Sequence, residues 1–363
     1  MAYRIHASDR TAFKRCRRQW DLSSPNRQNL EPISRSGPID LNQALRDALA
    51  VYYFPGMWEW DRAIVQPLVH QALERSVRGQ SEPAANSGAE EQAAALARGH
   101  ALLDAYLTWA PTVDHFTPIR VETDFEVNIP NPAAPDITLL TPDGEEIRYC
   151  DRVDLLAIDS DDAYWVIQHR LVADGWTDHD DLQLDERTIV WCWAWPLFYL
   201  GMKITGTIYN EIRADAREPK TGEPGAVVPQ QVRYQQVGHR RMYARSSTVT
   251  GERLHAEGTD MFRRTRIRRD AAELAVAGAS LGAEARTATS AGLDLYPNPE
   301  PGICAHCSYR SPCLALNHGG DATAELLRSY RPRPAEPVQE GRLGGVTWSM
   351  NRGAAPPRWT LNS

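Results

Sequence analysis

Lysine is nearly missing from this chain. Of its 40 lysine and arginine residues only Lys14, Lys203 and Lys220 are lysine, so almost every cation is a guanidinium group that stays protonated. With the abundant alanine, this is the bias of a GC-rich coding sequence. No apolar run approaches 18 residues, which excludes an expected membrane span. The first residues, Met1-Ala2-Tyr3-Arg4-Ile5-His6, lack the apolar centre of a signal peptide, and a cytoplasmic protein is expected. Cysteine is scarce, six in 363 residues. In a reducing compartment such thiols favour metal binding over disulfides. The net charge of −7 argues against a generic polyanion binder and leaves local patches to be weighed. Hydrophobic residues make up 42% and charged residues 24%, enough for a core. The length allows two or three domains or one elaborated α/β domain.

The cysteines that are present are unevenly placed. Cys304, Cys307 and Cys313 form a C-x2-C-x5-C cluster, with Pro301, Gly302, Ser308, Ser311 and Pro312 supplying turns around it. Cys16 stands alone at the other end, on the basic helix Ser8-Asp9-Arg10-Thr11-Ala12-Phe13-Lys14-Arg15-Cys16-Arg17-Arg18-Gln19-Trp20. Thiolates at such spacings are soft ligands suited to iron–sulfur clusters or zinc. A metal site built from Cys16, Cys304, Cys307 and Cys313 is therefore expected, pinning the two ends of the fold together. Buried, inert cysteine is the plainer alternative. It suits Cys150, which is read as ending a strand, and Cys192, in the apolar run Val190-Trp191-Cys192-Trp193-Ala194-Trp195. His306, between two of the cluster cysteines, is expected to be exposed and not a ligand.

Ser8 is the expected cap of the first helix, which would carry Phe13, Cys16 and Trp20 on one face. Further helices are expected at about 41–53, 89–109 and 180–200, and from about Ala271. A loop is expected at 80–90. Period-two alternation over Arg120–Ile129 predicts a strand, followed by strands at 148–158, 164–169 and 204–212. The Asp159-Ser160-Asp161-Asp162 turn makes a hairpin of two of them. Residues 214–236 read as a mobile insertion and 321–363 as a flexible tail rich in Pro, Arg and Gly. The domain itself is expected over 1–320, with a helical insertion at about 40–115.

This order of elements resembles the RecB-like branch of the PD-(D/E)xK nucleases, including CRISPR-associated exonucleases and AddB-type nuclease domains. The resemblance covers roughly residues 5–318. It implies an α/β fold with a PD-(D/E)xK restriction-endonuclease-like core, a mixed central sheet flanked by helices. It also implies a 4Fe–4S cluster on Cys16, Cys304, Cys307 and Cys313, a knot joining the N- and C-terminal segments, with zinc as the alternative.

The family's catalytic positions fall on degenerate residues. Asp151-Arg152-Val153-Asp154-Leu155-Leu156 places Asp154 at the metal-binding aspartate. Trp165-Val166-Ile167-Gln168-His169-Arg170 puts Gln168 at the second acid and Arg170 at the lysine. Asp185-Glu186-Arg187-Thr188-Ile189-Val190-Trp191 puts Arg187 and Trp191 at the family's glutamine and tyrosine. Its histidine falls on Arg46. Such nucleases hold Mg2+ or Mn2+ on paired carboxylates. A glutamine carbonyl is a weak ligand for a hard cation, and an arginine is a poor general base. A rearranged site on Asp154 with Glu122 is the active alternative, which would need Mg or Mn.

Cationic residues suggest what such a site would do instead. Arg46, Arg170 and Arg187 would converge as an anion or nucleic-acid site. Arg263, Arg264 and Arg266, in the basic stretch Met261–Arg269, would contact a phosphate backbone or line a solvated edge strand. Trp58 and Trp60 would stack on bases or pack inward. The expected function is thus a catalytically degenerate nuclease-fold protein that binds nucleic acid, DNA before RNA, or a protein partner. The alternatives are an active metal-dependent deoxyribonuclease and a scaffold without nucleic-acid binding. No membrane partner is expected.

Overall fold

The computed structural model describes residues 2–33, 38–80, 86–173, 175–199, 201–214 and 256–334, together with the short antiparallel strands Arg342–Leu343 and Val346–Thr347. The expected insertion at 214–236, apart from Ala214, lies outside the described residues. So does the expected tail beyond 334, apart from those two strands. The fold is mixed α/β, with a central mixed sheet flanked by helices. Its seven strands run in the order Tyr3–His6, Ile147–Asp159, Tyr164–Val172, Ile204–Arg213, Phe262–Arg268 and Ala256–Gly258, with Phe116–Asn128 also pairing to Ile147–Asp159. The basic stretch is therefore an inner strand at Arg263, Arg264 and Thr265, where Ala256–Gly258 covers it.

The chain falls into two compact units. The first comprises residues 1–36, 122–152 and 282–363. Tyr3–His6 pairs in parallel with the opening residues of Ile147–Asp159. The expected single basic helix is two helices, Ala7–Arg15 and Arg17–Ser23. Cys16 separates them in an extended conformation, φ −161° and ψ 110°. Its N–H still reaches Ala12 O at 2.8 Å, and its C=O still accepts from Trp20 N at 2.9 Å. The first helix starts at Ala7, before the expected Ser8 cap, and the His6 N–H donates to the Asp9 carboxylate at 3.3 Å. The N- and C-terminal segments join through Leu30–Pro32, which pairs antiparallel with Tyr330–Pro332.

The second unit comprises residues 37–121 and 153–281. Leu155 pairs antiparallel with Ile167, Gln168 lies beside Tyr209 in parallel, and Tyr209 opposes Thr265 antiparallel. Helix Leu41–Tyr52 begins where Asp40 accepts from Gln43 N at 3.0 Å. It buries Leu41, Ala44, Leu45, Ala48 and Leu49 at the three- and four-residue spacing of one helix face. Helix Arg62–Gln80 was not among the expected elements, although Val65, Val69, Leu73 and Val77 recur every four residues and are buried. The helix expected at 180–200 is divided into His179–Gln183 and Glu186–Phe198. Asp185 divides it by capping the second piece, accepting from Arg187 N at 3.1 Å and Thr188 N at 3.3 Å.

Candidate functional sites

In the first unit the residues around the four cysteines bring chain ends together. Cys307 packs against a small core of Leu22, Tyr309 and Tyr330, so residues from both ends share it. The Tyr309 and Tyr330 rings stack at 5.5 Å. Tyr309 donates to Leu30 O at 2.5 Å and Tyr330 to Ser308 O at 2.6 Å. Arg18, two residues after Cys16, donates to Cys313 Sγ at 3.4 Å and to Asn317 Oδ1 at 2.6 Å. The Asn298 N–H points at Cys16 Sγ at 3.5 Å, and its side chain holds Arg15 O at 3.1 Å.

Burial raises the Cys307 thiol above its ordinary pKa. The Tyr309 N–H and Arg15 oppose that rise, and Cys16 and Cys304 are near enough to add to it. The donor set suits a thiolate-bound metal group: soft sulfurs, partly exposed, receiving N–H bonds from the backbone and from arginine. Among the described residues, no three His, Cys, Asp or Glu side chains are gathered as metal ligands. His306 is exposed. Cys150 and Cys192 are buried, and burial pushes each thiol up to about 12, as expected of inert core cysteines.

Asp154 anchors the other site, in the second unit. It is 2% exposed and accepts from His169 N at 2.9 Å. The Arg46 guanidinium stands 3.7 Å from its other oxygen and also bonds the Gln43 side chain. Gln168 is buried, and its Oε1 has no hydrogen-bond partner. A divalent cation on Asp154 would therefore sit against a guanidinium, with a neutral carbonyl in place of a second acid. Glu122, the other candidate acid, belongs to the first unit and pairs with Arg152 at 3.7 Å.

The arginines expected to converge do not share one unmatched positive pocket. Arg46 faces Asp154. Arg170 pairs with Asp185 and lies 5.2 Å over the Tyr209 ring. Arg187 lies 5.0 Å over the fully buried Trp191. Asp185 is the residue the sequence reading missed. Its signal was an acid directly before an apolar helical run, the mark of an N-cap, and the same carboxylate that caps the helix also matches Arg170. Nearby, burial raises the Tyr209 hydroxyl to about 12. Asp185 adds to this, and Arg269, the Thr188 bond and Arg170 oppose it.

The basic strand is also turned inward. Arg263 bonds the fully buried Glu211 and the Thr177 carbonyl. Arg264 is 4% exposed and ion-paired to Asp114. It also donates to Tyr53 Oη at 2.7 Å, Tyr106 Oη at 3.1 Å, Val113 O at 3.2 Å and Asn210 Oδ1 at 3.4 Å. Arg266 lies 5.7 Å over the Trp165 ring. Trp58 stacks on Tyr53 at 5.7 Å, so it packs inward, while Trp60 is half exposed. No family model and no curated protein matches this sequence. No helix among the described residues is long and apolar enough to cross a membrane.

Proposed function

We propose that this chain is a catalytically degenerate, RecB-like nuclease-fold protein with a structural 4Fe–4S cluster that binds a nucleic-acid strand, DNA before RNA. The observation that carries the loss of catalysis is the Arg46–Asp154 pair, 3.7 Å apart and buried on the acid's side. Its chemistry opposes a hard divalent cation, and Gln168 supplies no compensating charge. Cys16, Cys304, Cys307 and Cys313 would hold the cluster. Bound there, it would supply a cross-link between the N- and C-terminal segments. Arg18 and the Asn298 N–H would turn toward its sulfurs. Arg170 and Arg187, both partly exposed, are the cations proposed to meet an anion, the first already paired with Asp185.

The test has three readings on one anaerobic preparation. Iron and sulfide analysis should give about four iron per chain. DNA should survive Mg2+ or Mn2+, and cleavage abolished by Asp154→Ala would reverse the reading. Single-stranded DNA should bind with an affinity that falls steeply with salt, and Arg170→Gln should weaken it. A second reading, a protein-binding scaffold, is favoured by the internal matching of Arg46, Arg170, Arg263 and Arg264 with carboxylates. Undetectable DNA binding at low salt would select it.

A further inference from the structure

A second group of metal-ligating residues lies away from both sites, between helices Arg62–Gln80 and Asn86–Trp109 of the second unit. His70 and His100 stack with their ring centres 4.8 Å apart, and their Nδ1 atoms face each other at 2.6 Å. His70 Nε2 meets Asp104 Oδ1 at 3.0 Å, and His100 Nε2 stands 3.5 Å from Glu74 Oε1. Gln66 donates to the same Asp104 oxygen at 3.2 Å. The spacing is regular: Gln66, His70 and Glu74 follow one another at four residues on one helix, and His100 and Asp104 do so on the other, so each set shares a face.

The ring chemistry has a consequence. A carboxylate only accepts, so His70 Nε2 donates to Asp104. The neutral His70 ring then carries a lone pair on Nδ1, aimed at His100 Nδ1 2.6 Å away. Either a proton on His100 Nδ1 or a metal ion can fill that gap, and with the His100 proton on Nε2, the nitrogen that faces Glu74, the two lone pairs converge on one centre. A carboxylate on the far nitrogen is the arrangement that orients histidine ligands and raises their basicity toward metals. Two nitrogens on one tetrahedral zinc stand about 3.3 Å apart, so the rings need to separate by less than about 1 Å. The path is open, because the Asp104 side chain is 58% exposed and the His100 side chain 31%.

We propose that His70 and His100 bind a borderline divalent metal ion through Nδ1, with Glu74 and Asp104 holding the rings and water completing the coordination. Two imidazole ligands select zinc, nickel or copper over magnesium. A two-nitrogen site is also consistent with the absence of any group of three gathered ligands among the described residues. This site is independent of the cysteines.

The experiment is calorimetric titration of Zn2+ into the full chain, beside His70→Gln, His100→Gln and Glu74→Gln. All four proteins should have equal iron content and equal metal-free melting curves. Wild type should bind one zinc equivalent that both histidine variants lose and that excess Mg2+ does not displace. Glu74→Gln should weaken that equivalent by about 10- to 100-fold. An isotherm unchanged in both histidine variants would overturn the proposal. So would wild type that takes up no such equivalent, which would leave a proton between the rings. Changed iron content in a histidine variant would also count against it, because it would tie the cluster to the cysteine chemistry.

Discussion

Asp114→Ala should be among the most damaging single changes in the second unit, because Arg264 would lose its counter-charge inside the protein. The two side chains are 5% and 3% exposed. Arg264 also holds two tyrosine hydroxyls, an asparagine carbonyl and a backbone carbonyl, so it cannot swing out to water without breaking them. Removing one partner of such a pair costs about 3–5 kcal/mol. At about 2–4 °C per kcal/mol for a unit of this size, the melting temperature should fall by about 6–20 °C. Replacing both partners with apolar residues, Asp114→Leu with Arg264→Met, should recover much of the loss, since no charge is then left buried. The assay is urea unfolding of wild type, both single variants and the double variant, analysed as a cycle. If Asp114→Ala cost less than about 1 kcal/mol, the pair would be no stronger than a solvated one. The claim that Arg264 serves the interior rather than a phosphate backbone would then fail. DNA affinity gives an independent reading, because Arg264→Met in the Asp114→Leu background should leave the salt dependence unchanged.

His169 should make the second unit sensitive to acid. Burial, then Arg264 and Arg46, push its imidazole down to about 3. The unfolded side chain takes up a proton near pH 6.5 and the folded one does not, so stability is present above that pH. It is lost as pH falls toward 3, by up to about 1.4 kcal/mol per pH unit. His169→Gln keeps an acceptor for the Asn210 amide, 2.8 Å away in wild type, and should flatten that part of the unfolding profile; identical profiles would refute the assignment. Gly206→Ala should lower the melting temperature markedly, since its Cβ would collide with the Ile267 carbonyl oxygen, a backbone atom that cannot turn aside. An unchanged melting temperature would show that the two strands are farther apart than described. In the cluster reading, Cys307→Ser should lose iron while Cys150→Ser keeps it; equal iron in both would remove Cys307 from the ligand set.

What the sequence revealed was set by locality. Alternation over two residues and apolar spacing over three and four are properties of a short stretch, and they gave strands Ile147–Asp159 and Ile204–Arg213 and helix Leu41–Tyr52 within a residue, and strand Tyr164–Val172 within three. Breaks were harder to see. Cys16 leaves the helical conformation between good helix formers, and nothing in Lys14-Arg15-Cys16-Arg17-Arg18 announces it. Asp185 did announce a break, but the apolar run after it drew the reading into one long helix. Partners were the hardest of all. Arginines at 46, 170, 263 and 264 look alike in a sequence, and counted without their partners they made a cationic surface. The fold sets Asp154, Asp185, Glu211 and Asp114 beside them, residues separated in sequence by 15 to 150 positions. A chain with almost no lysine must make its internal ion pairs with arginine, whose planar, forked guanidinium bonds several acceptors at once. Arginine abundance is therefore poor evidence for nucleic acid here. The stronger evidence is exposure. By that measure Arg170 and Arg187 remain the residues to test first, because the first is 28% exposed beside its carboxylate and the second lies on an aromatic face at the opening of the same helix.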